Sequence, residues 1–287
     1  MFYEVMACLD GSQLAEQILP LARGITGAKG GKLVLLRVVQ EPAELSAEEE
    51  YWRDCARQYG AELRYIVSAD PAQAIAAELQ RSPRAVAALT THGRTAWAEA
   101  ILGSVALGVI RESKRPVLVY RPRGNGSDAP KKISTMAVAL DGSAFSETIV
   151  PYGAKAAQFL SARLLLLQAL PVRPPAAAAS RVQPSDVLES SYLHRKAADI
   201  KSAFGIEAEW EVLHGDAGDA LCRYLNDMPD TILAMTTHAR GGIERAVLGS
   251  VAGYCVRHAG CPLFLYWPPR NTSFGKLGSG AVSSNFP

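Results

Sequence analysis

The chain has 287 residues, 48% of them apolar, and a formal net charge of +2 from scattered acidic and basic residues. That length suits two domains with a core each. The charge gives no electrostatic case for nucleic acid or an anionic membrane, and no apolar run is long enough to span a bilayer.

The N-terminus, MFYEVMACLDGS, enters a strand directly over residues 3–9. It lacks the basic region, apolar stretch and small-residue cleavage site of a secretory signal, so a cytoplasmic location is expected. Ser12 then caps a helix with apolar residues at Leu14, Ile18 and Leu21. Residues 32–39, KLVLLRVV, read as a strand buried on both faces. Residues 46–59 form a polar helix, with Ser46 and Glu49 as a capping box. A third strand over 61–67, a helix over 71–80, a fourth strand over 85–89, a helix over 104–113 and a fifth strand over 117–120 follow. Strand and helix alternate, which predicts a parallel sheet with helices on both faces.

The pattern then repeats. TTHGRTAWAEAILGSV starts at Thr90 and TTHARGGIERAVLGSV at Thr236, an offset of 146 with nine of sixteen positions identical. Asp10-Gly11-Ser12 recurs as Asp141-Gly142-Ser143 at an offset of 131, and Pro20 recurs as Pro151. The change of offset places about fifteen extra residues in the second copy, in the Pro- and Ala-rich segment 171–186, expected to be a loop or a helix lead-in. Strands of the second copy are predicted near 135–140, 163–169, 208–213, 231–235 and 263–266. The reading divides the chain into a first domain over 1–122, a linker over 123–132, a second domain over 133–268 and a mobile tail over 269–287. The tail is read as a disordered end or as a docking segment around Phe274 or Phe286.

Five cysteines, Cys8, Cys55, Cys222, Cys255 and Cys261, show no CxxC spacing, so neither a disulfide framework nor a zinc site is expected. The histidines have no ligand spacing, and His92 and His238 read as hydrogen-bonding or turn residues. No metal ligand set and no catalytic residue is expected, since GxSxG, HExxH and paired carboxylates are absent.

The repeated loop has the chemistry of an anion cradle. It leaves the carboxyl end of a strand, where ligands of open α/β sheets sit, and it runs into a helix N-terminus. Gly93 and Gly103 allow close backbone approach, Ser104 is expected to cap the helix, and Thr90, Thr91 and Arg94 add donors. Neither GxxxxGK[ST] nor GxGxxG is present.

Together these motifs resemble the universal stress protein family in its tandem two-domain form, over both copies. Nucleotide-binding members carry Gly-x2-Gly-x9-Gly-[Ser/Thr] after the fourth strand. Here the first copy reads Thr90-Thr-His-Gly93-x9-Gly103-Ser104 and the second Thr236-Thr-His-Ala239-x9-Gly249-Ser250. Both copies replace the first family glycine with Thr, and the second copy also carries Ala239. The resemblance implies two tandem five-stranded parallel sheets flanked by helices, Rossmann-like and similar to the adenine nucleotide alpha hydrolases. It implies binding of ATP or a related adenine nucleotide, with Mg as a possible companion, as a regulatory ligand of a stress-response protein. The implied first site is Asp10, Gly11, Ser12, Val38, Thr90, Gly93, Arg94, Gly103, Ser104 and Val105. The corresponding second site is Asp141, Gly142, Ser143, Ala169, Thr236, Ala239, Arg240, Gly249, Ser250 and Val251. Asp10 and Asp141 are read either as turn residues or as nucleoside ligands. Were position 239 to need a left-handed backbone, Ala there would cost roughly 1–2 kcal/mol, which makes the first copy the expected working site. PVLVY and PLFLY, the fifth strands, are expected to pair the two copies into an intramolecular pseudo-dimer, with a homodimer and protein partners left open. The alternative is an interaction scaffold of the same fold that binds no nucleotide, while a dinucleotide oxidoreductase is disfavoured by the single glycine of the first turn.

Overall fold

Near-continuous apolar runs become the inner strands of a single ten-stranded sheet. The computed structural model describes residues 3–91, 102–122, 130, 132–172, 184–237 and 248–269, with side chains of 45–47 and 184–189 left aside. The core of the expected linker, most of the Pro/Ala-rich insert and the tail from residue 270 lie outside the described residues. So do His92, Gly93, Arg94, His238, Ala239 and Arg240.

The first half runs β1 (Glu4–Leu9), α1 (Gln13–Glu16), α2 (Leu19–Gly27), β2 (Lys32–Val39), α3 (Pro42–Tyr59) and β3 (Glu62–Val67). It continues with α4 (Pro71–Arg81), β4 (Ala85–Thr90), α5 (Ser104–Glu112) and β5 (Val117–Tyr120). The second half runs β6 (Thr135–Ala139), α6 (Ala144–Glu147), α7 (Val150–Leu160), β7 (Arg163–Leu170), α8 (Pro184–Phe204) and β8 (Ala208–His214). It ends with α9 (Ala217–Asn226), β9 (Thr231–Thr236), α10 (Ser250–His258) and β10 (Leu263–Tyr266).

Three helices differ from the sequence expectation. The single helix expected after each Asp-Gly-Ser is two pieces, α1 and α2, then α6 and α7. Pro20 and Pro151 lack the N–H that would bond the carbonyl four residues earlier, and their rings crowd it. Helix α3 begins at Pro42 rather than 46. Its start is set by Pro42 at the first helical position and by Glu44, whose carboxylate accepts the Glu41 N–H at 3.1 Å.

The strand order is β3-β2-β1-β4-β5-β10-β9-β6-β7-β8. Every neighbouring pair is parallel except β5 with β10, where Leu118 lies opposite Phe264 in an antiparallel register. The two parallel halves therefore join edge to edge, with their strands pointing in opposite directions. Helices α1, α2, α3, α6, α7 and α8 cover one face, packing residues such as Leu35, Trp52, Leu166 and Leu193. Helices α4, α5, α9 and α10 cover the other, around Leu36, Leu79, Leu167 and Leu225. Among the described residues no helix is long and apolar enough to cross a membrane.

Candidate functional site

In each half the chain leaves the first strand toward one side and later returns to build the fourth strand on the other side. The carboxyl ends of β1 and β4, and of β6 and β9, are thus topological switch points, where connections diverge and leave a crevice.

The Asp-Gly-Ser turns flank these crevices and are built alike. Gly11 has φ +88° and Gly142 φ +80°, left-handed values that glycine adopts without a Cβ penalty. One Asp10 oxygen accepts the Ser12 N–H at 3.0 Å and the Ser12 hydroxyl at 2.7 Å. Asp141 accepts from Ser143 at 2.9 and 2.5 Å. The serine hydroxyl in turn accepts the N–H of Ala15 or Ser146, each at 3.1 Å. Each aspartate thus closes its turn with one carboxylate oxygen. The second turn carries an additional hydroxyl: Ser146 accepts the Asp141 N–H at 3.2 Å, where the first copy has Ala15. Sequence reading missed Ser146, and the mismatch between the repeats was the available signal.

The repeated loops are clamped at their bases. Thr91 donates its N–H to Tyr120 and accepts from Gly103 at 2.7 Å. Thr237 and Gly249 repeat this pair at 2.7 Å. Thr91 and Thr237 are buried, while the loop residues between each pair lie largely outside the described residues. Ser104 is not the helix cap. Gly103 and Gly249 hold the cap positions in extended backbone, φ −61° and −56°, and Ser104 and Ser250 are the first helical residues. A glycine cap has no side-chain oxygen to accept the first helical N–H groups, so α5 and α10 present them without that competitor.

Val38 and Ala169, near the ends of β2 and β7, pack toward the face that carries α4, α5, α9 and α10. In the second half a cavity of about 580 Å³, its open mouth included, opens there. Asp141, Ala169, Thr236, Gly249, Ser250 and Val251 all line it, together with Ser146 and the α9 residues Ala217 and Leu221. Gly142 and Ser143 form the adjoining turn and are not among its lining. In the first half Asp10–Ser12, Val38, Thr90 and Gly103–Val105 hold the matching positions at the ends of β1, β2 and β4 and the start of α5. Among the described residues no group of three or more His, Cys, Asp or Glu gathers as metal ligands. Burial pushes the Cys8 thiol up to about 12, in keeping with its place inside β1.

A family model described as the universal stress protein family matches residues 1–121 and again 132–266. A universal stress protein from Archaeoglobus fulgidus DSM 4304 has a similar structure, with a TM-score of 0.70 at 18% identity, covering 93% of this chain and 99% of that one. A protein of unknown function from Pseudomonas aeruginosa PAO1 aligns with a TM-score of 0.62 at 18% identity, covering 93% of both chains. No curated protein matches the chain.

Proposed function

The chain belongs to the universal stress protein family, and from that premise we propose that it binds ATP or a related adenine nucleotide as a regulatory ligand. The observation that carries this reading is the second-half cavity, which gathers six of the expected site residues beside a helix start with no side-chain cap. A phosphate at such a helix start meets oriented N–H groups and the positive end of the helix dipole. The first cleft is assigned the same role on the matching Asp-Gly-Ser turn and Gly-capped helix, and the Gly93 to Ala239 contrast makes it the tighter site. Any Mg²⁺ is placed on the nucleotide's own phosphates. Binding stabilises the folded chain by mass action and biases the loops that a protein partner would read, which suits a stress-response role in the cytoplasm.

The test is nucleotide analysis of freshly purified protein, followed by ATP titration of the stripped chain. Gly103→Ala blocks the first cleft in a backbone geometry that alanine tolerates, and Ala169→Leu fills the second. Micromolar binding that drops at least about ten-fold with Gly103→Ala and much less with Ala169→Leu is the expected result. Absence of binding at millimolar ATP in the unaltered chain sinks the reading and leaves the interaction scaffold.

A further inference from the structure

The two halves build the same helix crossing from different residues. In the first half Gly108 of α5 faces Ala72 of α4, so closely that a Cβ on Gly108 would lie 2.6 Å from that of Ala72. In the second half Gly218 of α9 faces Tyr254 of α10, and a Cβ on Gly218 would lie 2.8 Å from the ring. The glycine has changed sides, and the close approach of the helices is kept. Further along the crossing the first half buries Ala76 and Val109, and the second half has Cys222 and Cys255 at the matching positions. Their sulfurs stand 4.0 Å apart. A disulfide closes at about 2.05 Å, a gap that side-chain rotation and a modest helix adjustment cover.

This pair sits behind the second cleft. Leu221, the neighbour of Cys222 on α9, and Ala252, one turn before Cys255 on α10, both line the cavity. We propose that Cys222 and Cys255 are an oxidisable dithiol that staples α9 to α10 when a hydroperoxide reaches it, so that the second cleft, and not the first, answers to oxidant. The effect on the cleft rests on the nucleotide reading above; the crosslink itself does not.

The chemistry balances with the peroxide as two-electron acceptor. Cys222, 5% exposed against 0% for Cys255, is the sulfur the oxidant meets first. Its thiolate attacks a peroxide oxygen, the O–O bond breaks, and the departing hydroxide takes up the Cys222 proton as water. The Cys255 sulfur then attacks the Cys222 sulfenic acid; the S–S bond forms, the S–O bond breaks, and the Cys255 proton leaves with that oxygen as a second water. The product is neutral, which suits its apolar surroundings better than a thiolate does.

Full-length protein is treated with hydrogen peroxide, denatured in an alkylating reagent, weighed intact and mapped by digestion. The expected result is loss of two of the five alkylation sites and a peptide joining Cys222 to Cys255. Cys222→Ala and Cys255→Val restore the first-half residues and are expected to fold and to give no joined peptide; Cys222→Ala keeps its remaining thiols open to alkylation, whereas Cys255→Val loses the Cys222 site alone, as an unresolved sulfenic acid. A wild type with no such peptide, a bridge to the nearby buried Cys261 instead, or equal loss of alkylation in both variants overturns the proposal. Crosslinking is read by mass alone, so a chain that fails to bind nucleotide still shows whether the bridge forms.

Discussion

At the two Asp-Gly-Ser turns one backbone angle decides which residue is tolerated. With φ near +80° at Gly11 and Gly142, an alanine must enter the left-handed region at a cost of roughly 1–2 kcal/mol. Gly142→Ala is therefore expected to lower the denaturant midpoint without changing its slope. An unchanged midpoint would show that the turn relaxes around the added Cβ. This turn was legible in the sequence because its chemistry is local: carboxylate, glycine and hydroxyl within three residues. The helix cap was not. Gly and Ser are both acceptable caps, and in Gly103-Ser104 only the extended backbone of the glycine shows which one ends the loop. The same holds at Pro42, where Ser46 supplied a capping pattern inside a helix already under way.

Among elements, the strands were the most legible, because β2 and β7 are buried on both faces and read as near-continuous apolar runs. Helix crossings were less so. The contact between α9 and α10 depends on Gly218 meeting Tyr254, whereas its counterpart depends on Gly108 meeting Ala72. A repeat in which the small residue moves from one helix to the other leaves no shared motif to find. Gly218→Ala places a Cβ 2.8 Å from the Tyr254 ring and 2.9 Å from the Tyr254 Cβ, an atom that no ring rotation moves away. We expect a loss of about 1–3 kcal/mol, seen as a lowered Tm by calorimetry. A Tm equal to wild type would mean that the two helices slide apart freely. The breaks after α1 and α6 were written in Pro20 and Pro151, yet the apolar spacing Leu14, Ile18, Leu21 runs across the first break and concealed it.

For the whole molecule the decisive contact is β5 against β10. Phe264 is buried opposite Leu118, and both belong to the core face that runs unbroken from one half to the other. Phe264→Ala removes that link at a cost of about 3–5 kcal/mol. We expect one calorimetric unfolding transition in the unaltered chain and two in the variant, as the halves uncouple. One undivided transition would place the coupling elsewhere, for instance in the turn after α2, where the Lys29 ammonium donates to the Gln158 carbonyl of α7 at 2.6 Å. The pairing of the fifth strands was expected from family resemblance rather than from pattern, since four apolar residues carry no signal of which edge they meet. Its antiparallel sense has a further effect. Because the strands of the two halves run antiparallel to each other, their switch points open on opposite edges of the one sheet. A molecule seated over one crevice would therefore leave the other uncovered.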